Sequence, residues 1–152
     1  MTESNGGQSD AKASGPVEIK VAREVALDDF DRFCEEMAVD NDARLMDAED
    51  WKAFEGNKAL IVAQIMRGNL TVDDDGAPTY TVQGKKFRGE KIVFHEPDGN
   101  SLLQTGGKGK DQDVKKSFAI TAALTDRNIP FYSSLKYRDV KICLAVQNLF
   151  LG

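Results

Sequence analysis

The residues of this sequence that could do chemistry include a single histidine, His95, which is followed by Glu96. An imidazole and a carboxylate can transfer protons when a nucleophile lies within hydrogen-bond distance. The sequence has neither a Gly-x-Ser-x-Gly motif nor a cysteine-centred catalytic signature. We therefore expect His95 to be a structural hydrogen-bonding residue, and we predict no catalytic residues and no enzymatic activity.

A run of three aspartates and a glycine, Asp73–Gly76, has the composition of a calcium-binding loop. An EF-hand loop requires glycine at its sixth position, a ligand at its first and a bidentate glutamate at its twelfth. Placing Gly76 sixth puts Thr71 first and Val82 twelfth, so both end ligands are missing. The run predicts a turn between two strands, and we expect no metal site.

The glycine-rich and basic run Gly106–Lys110 has features of a phosphate-binding loop. A P-loop places Ser or Thr directly after its lysine, where the hydroxyl binds Mg²⁺. Here Asp111 follows Lys110. We predict no nucleotide and no other cofactor.

The two cysteines, Cys34 and Cys143, lie far apart in the sequence. Two cysteines are too few for a disulfide scaffold in a chain of 152 residues. Both are therefore predicted to be buried free thiols in a reducing compartment.

Basic residues in the second half of the chain could contact phosphates. They are Lys85, Lys86, Arg88, Lys91, Lys108, Lys110, Lys115 and Lys116. Only Phe87 is interleaved with them as an aromatic stacking platform, and the whole chain has a net charge of −5. We predict no nucleic-acid partner.

No run of the sequence approaches the 18 or so apolar residues of a membrane span. The first residues, MTESNGGQSD, lack the features of a secretory signal. We therefore also predict no membrane partner.

The charge is divided unevenly along the chain. Residues 1–77 contain 18 Asp and Glu against 8 Lys and Arg, a net charge of −10, whereas residues 78–152 contain 7 against 12, a net charge of +5. Such a division can steer the association of two copies or of a charged partner. It can equally reflect two solvated faces, and the sequence leaves both interpretations open.

The hydrophobic pattern changes from a helical period to a strand period and back, which predicts an α+β fold, mainly helical, with a small antiparallel sheet or hairpin. The polar residues 1–16 are predicted to be a disordered tail, followed by a single domain over 17–152. The predicted helices span 27–38, 48–67, 113–125 and 137–151. The predicted strands span 17–21, 70–73, 79–83 and part of 86–95, and short helices or turns are expected at 101–104 and 130–135.

Two residues are predicted to delimit the second helix. Asp47 is a plausible N-cap, because its carboxylate can accept the free N–H groups of the first turn. Gly68 is suited to the left-handed position that follows a helix. A break near Gly56 is also considered, since glycine weakens a helix interior.

The helix over 137–151 is apolar on two faces, and residues 142–152 contain no charge. One stripe, which we assign to the core, consists of Val140, Cys143, Leu144 and Leu151. The other stripe, which we predict to bind a partner, consists of Ile142, Val146, Leu149 and Phe150. A helix apolar on two faces either lies centrally in the core or offers one face to a partner. Both alternatives remain open here.

Three segments resemble, in order, tail assembly chaperones of long-tailed bacteriophages. Residues 61–82 are similar to the family's helix and acidic-glycine turn between two short strands. Residues 91–104 are similar to its strand followed by a Pro-Gly turn and a helical part. Residues 120–152 resemble its C-terminal end, with a Leu-x-x-Arg-Asp step formed by Leu135, Arg138 and Asp139 and a final Phe150-Leu151. Where the family has glycine after a Leu-Thr pair, this chain has Asp126.

The resemblance implies a protein that binds the long, largely helical tape measure protein in the host cytoplasm. Such a chaperone shields the tape measure protein until tail-tube subunits polymerise around it, and is then released. The implied partners are the tape measure protein, possible further copies in a homo-oligomer, and possible contacts with the tail-tube protein. The alternative is a structural tail or baseplate component that is retained in the virion.

Overall fold

Six α-helices and a three-stranded antiparallel sheet make up the part of the chain that the computed structural model describes, residues 18–105 and 114–151. The helices are α1 (Arg23–Glu36), α2 (Ala48–Arg67), α3 (Gly99–Thr105), α4 (Val114–Thr125), α5 (Ile129–Ser134) and α6 (Tyr137–Leu151). The strands are β1 (Leu70–Val72), β2 (Pro78–Thr81) and β3 (Lys91–Val93). The predicted α+β, mainly helical fold is confirmed. The predicted tail over 1–16 and the Gly106–Lys110 run lie outside the described residues.

Helix α2 has the bounds that its capping residues predict, and it passes through Gly56 without a break. The backbone N–H of Asp50 donates to the Asp47 carboxylate at 2.7 Å, which satisfies one of the free donors of the first turn. Gly68 adopts a φ of 82°, and its N–H donates to the carbonyl of Ile65. Local chemistry therefore fixes both ends of this helix.

The chain before α2 differs from its prediction in two ways. Helix α1 begins at Arg23 and ends at Glu36, about one turn earlier than predicted at its start. The strand predicted over 17–21 is wrong for the described residues, which form no strand between 18 and 22. The N–H groups of Lys20 and Val21 instead donate to the carbonyl oxygen of Met66, with N···O distances of 2.8 and 3.1 Å. This segment is therefore hydrogen-bonded to the C-terminal end of α2.

The sheet has the order β1-β2-β3, and both pairs are antiparallel. Its register places Leu70, Tyr80 and Ile92 side by side across the three strands. All three side chains are buried, because residues in register on neighbouring strands share one face of a sheet. The predicted hairpin around Asp73–Gly76 is confirmed as β1 and β2.

Helix α6 lies in the centre of the hydrophobic core, where it contacts α2 and α4. Its buried side also carries a polar group, Gln147, whose carbonyl oxygen accepts a hydrogen bond from the Thr121 hydroxyl of α4. The buried carbonyl oxygen of Gln147 thus has a hydrogen-bond donor, as buried polar atoms require. The C-terminal helix is thus held on several sides by the rest of the described chain.

Candidate partner-binding groove

The stripe on α6 that we predicted to bind a partner lies in the core. Ile142, Val146 and Leu149 are buried, with Val146 only 1% exposed. Phe150 is half-buried and packs edge-on against Phe33 of α1, with ring centroids 5.4 Å apart. The prediction that this stripe forms an exposed surface is therefore wrong in this structure, and the alternative of a central core helix holds.

The opposite stripe, which we assigned to the core, is the less buried of the two. Cys143 is buried, but Val140 and Leu144 are only half-buried and Leu151 is 41% exposed. The two stripes are therefore largely exchanged with respect to the prediction. The physical reason is that α1 packs against the Phe150 side of α6, whereas no described element covers Leu151 to the same extent.

A concave surface lies elsewhere, in an open groove of about 520 Å³ between α2 and the first turns of α6. Three small residues of α2, Gly56, Ala59 and Ala63, lie on the groove, together with the apolar Leu60 and Ile142. Small side chains at three- and four-residue spacing leave room for a second helix to approach the α2 backbone closely. Ile142 is the one member of the predicted stripe that lines this groove.

The rim of the groove is basic. Arg67 at the end of α2 and Arg138 and Lys141 on α6 line it, and none of the described residues that line it is acidic. None of these three cations forms an ion pair within residues 18–105 and 114–151. Tyr137, also on the rim, is 78% exposed. An apolar floor with unpaired cations on its rim is suited to an amphipathic segment of negative charge.

Asp139 fixes the position of the rim formed by α6. Its carboxylate is fully buried and accepts hydrogen bonds from the Tyr80 hydroxyl at 2.6 Å and from the N–H groups of Gln83 and Gly84 at 2.9 Å each. A buried carboxylate is tolerated when such donors satisfy it. This anchor joins the first turn of α6 to the end of β2.

The anchor leaves no space for a side chain at residue 84. A Cβ atom on Gly84 would lie 2.6 Å from Oδ2 of Asp139 and 2.8 Å from Cγ of Lys136. The anchor also affects Tyr80, since burial, and then the hydrogen bond to Asp139 and its charge, raise the pKa of the phenol. The phenol therefore stays protonated and keeps donating to the carboxylate at physiological pH.

The Asp73–Gly76 run forms the β1–β2 turn. Oδ1 of Asp73 accepts the N–H groups of Asp75 and Ala77 at 2.9 Å each, so its own backbone uses the carboxylate. Arg32 of α1 donates to the carbonyls of Val72 and Asp73 and covers the same turn. In the described residues, no group of three His, Cys, Asp or Glu side chains could hold a metal ion.

His95 and the cysteines have structural surroundings. Nε2 of His95 lies 3.5 Å from the Asp126 carboxylate, and Nδ1 lies 2.9 Å from the carbonyl of Glu96. Burial lowers the pKa of His95, but these acceptors and the charge of Asp126 outweigh it and raise the pKa overall. Both cysteines are free and buried, as predicted. Burial raises the pKa of Cys34 to about 12 and that of Cys143 further, so neither thiol is a ready nucleophile.

The described chain is thus a mainly helical α+β protein with an open groove beside a buried carboxylate anchor. Comparisons with protein-family models, with curated proteins and with solved structures gave no match for this chain. No helix in the described ranges is both long enough and apolar enough to cross a membrane.

Proposed function

We propose that this protein is a bacteriophage tail assembly chaperone. In this proposal it binds the tape measure protein in the host cytoplasm and shields it until the tail tube polymerises. The resemblance of three segments, in chain order, to that family supports the proposal, and each segment covers neighbouring elements of the fold. Residues 61–82 form the end of α2 with the β1–β2 hairpin, 91–104 form β3 and most of α3, and 120–151 form the rest of α4 with α5 and α6.

The observation that carries the proposal is the groove between α2 and α6. A tape measure protein is long and largely helical, and an amphipathic helix binds a groove through apolar residues at three- and four-residue spacing. The small residues Gly56, Ala59 and Ala63 permit close approach, while Arg138 and Lys141 can pair with acids beside the helix's apolar stripe. The groove thus replaces the α6 stripe as the proposed binding surface.

Co-purification tests this proposal. The tape measure protein from the same virus is co-expressed with the tagged wild-type chain, with Ala59→Trp and with Ala53→Trp. Ala59 lines the groove, so an indole there fills the space that a helix would occupy. Ala53 is an exposed residue on the same helix that does not line the groove, and it provides a matched control.

We expect the wild type and Ala53→Trp to retain the tape measure protein and Ala59→Trp to lose most of it. Equal retention by all three would refute the groove as the binding surface, and no retention by the wild type would refute the chaperone function. Mass spectrometry of purified virions distinguishes the chaperone function from the alternative, a structural component of the tail or baseplate. A chaperone is absent from the particle, whereas such a component is present.

A further inference from the structure

A row of carboxylates runs along the exposed side of α1. Glu24, Asp28, Asp31 and Glu35 are all exposed and recur at spacings of four, three and four residues. This spacing places them on one face of the helix, which we call the acidic ridge. None of the four forms an ion pair within the described parts of the chain, whereas Asp29, beside the ridge, pairs with Arg32 at 3.2 Å. The ridge also carries an exposed apolar residue, Val25, which is 51% exposed.

The acidic ridge and the basic groove lie on different sides of α2. Helix α1 packs on the side of α2 that carries Phe54 and Lys58, which contact the Phe30 ring with centroid distances of 6.0 and 5.4 Å. At 100° per residue, this side lies about 150° around the helix from the groove residues Gly56, Ala59 and Ala63. The ridge faces away from α2 on the far side of α1, so it cannot reach the groove of its own chain.

The charges of the two surfaces are complementary. The groove presents Arg67, Arg138 and Lys141 without an acid among its described lining residues. The ridge presents four carboxylates, none of which pairs with a cation of residues 18–105 or 114–151. We propose that the acidic ridge on α1 of one copy docks into the basic groove between α2 and α6 of a second copy.

This contact is heterologous, because two different surfaces meet. Each copy that docks its ridge still offers a free groove, and each copy that receives a ridge still offers a free ridge. Such contacts form closed rings or open chains, whereas a contact between identical surfaces ends at a dimer. The inference concerns copies of this chain in the absence of a tape measure protein. A ridge and a tape measure helix would occupy the same groove, so each excludes the other there.

Sedimentation velocity with two charge-reversed variants tests the contact. The groove variant carries Arg138→Glu and Lys141→Glu, and the ridge variant carries Asp28→Lys, Asp31→Lys and Glu35→Lys, so that three of the four ridge charges are reversed. In the groove variant both surfaces are negative, and in the ridge variant both are positive, so each variant alone repels its own copies. In an equimolar mixture, every groove meets a ridge of opposite charge.

We expect the wild type to form oligomers, each variant alone to dissociate at least about tenfold more readily, and the mixture to assemble again. A chain that carries all five substitutions should also assemble, because its groove is negative and its ridge is positive. Raising the salt concentration from about 0.1 M to about 1 M should weaken every one of these assemblies, since the Debye length falls from about 10 Å to about 3 Å.

The control variant Lys85→Glu with Lys86→Glu makes the same change in net charge as the groove variant, on the loop before β3. It should self-associate like the wild type. Urea titration establishes that each variant is folded, and Arg67→Glu replaces Arg138→Glu if the latter lowers the midpoint. A wild type that stays monomeric, or folded variants whose mixture stays monomeric, would overturn the inference. Because the tape measure protein is absent, these outcomes leave the proposed function to be judged separately.

Discussion

The buried carboxylate of Asp139 gives the most direct test of how this fold is held together. The substitution Asp139→Asn keeps the shape of the side chain but replaces one acceptor oxygen by an NH2 donor. In the wild type, Oδ1 accepts from Tyr80 and from the N–H of Gln83, and Oδ2 accepts from the N–H of Gly84. In either orientation of the asparagine amide, one of these backbone N–H groups therefore faces another donor.

The expected decrease in the free energy of unfolding follows from the hydrogen bonds that the substitution removes or weakens. A buried N–H without an acceptor costs about 1–3 kcal/mol, and hydrogen bonds to a charged acceptor, worth about 1.5–3 kcal/mol each, are weakened when the charge is removed. We expect Asp139→Asn to lower the free energy of unfolding by about 2–4 kcal/mol. A domain of ordinary stability, about 5–15 kcal/mol, stays folded after such a loss.

Urea titration at neutral pH, followed by circular dichroism, measures this change. Asp74→Asn is the matched control, because Asp74 is exposed in the β1–β2 turn and its substitution should change stability by less than about 0.5 kcal/mol. Tyr80→Phe removes only one of the hydrogen bonds to Asp139 and should give a smaller loss. The reasoning fails if Asp139→Asn is as stable as its control.

Three further predictions follow from the core and its surroundings. Val146→Ser should lower the free energy of unfolding in urea by about 2–4 kcal/mol, because the residue is buried; a fully stable variant would contradict its placement. Cys34 and Cys143 should resist iodoacetamide in the native protein and react in urea, as measured by mass spectrometry; rapid native labelling would show that a thiol is accessible. Since the pKa of His95 is raised in the fold, its pairing with Asp126 stabilises below pH 6.5 and is lost as the pH rises through the folded pKa. As the pH rises from 6.5 through the folded pKa, the free energy of unfolding in urea should fall by less than about 1 kcal/mol. The substitution His95→Gln should remove this change.

The sequence predicts those elements whose ends depend on local chemistry. Asp47 and Gly68 define α2 because an N-cap and a left-handed glycine act on neighbouring backbone groups. The hairpin follows in the same way from the aspartate turn at Asp73. The N-terminal segment was mispredicted because alternation alone cannot show whether a strand partner exists, and Val21 bonds to a helix end instead.

The groove depends on distant residues and was missed for that reason. Both stripes of α6 are apolar, so periodicity could not decide which one faces the core; the position of Phe33 on α1 decides it. The small residues Gly56, Ala59 and Ala63 were a usable signal, since they repeat on one face of α2. Asp139 was singled out only by resemblance, and its buried position could not be derived from spacing.

The central position of α6 has a consequence for the order in which the chain folds during synthesis. The helix is the last described element to leave the ribosome, yet it supplies the centre of the core and the carboxylate that fastens β2. Until then α1 lacks the ring of Phe150 that packs against Phe33, and α2 lacks its contacts with α6. We therefore expect the elements that precede α6 to expose apolar surface during synthesis. The cooperative core should form only after α6 has been translated. A chain truncated before Tyr137 would therefore expose apolar surface that α6 covers in the complete fold, and it should aggregate.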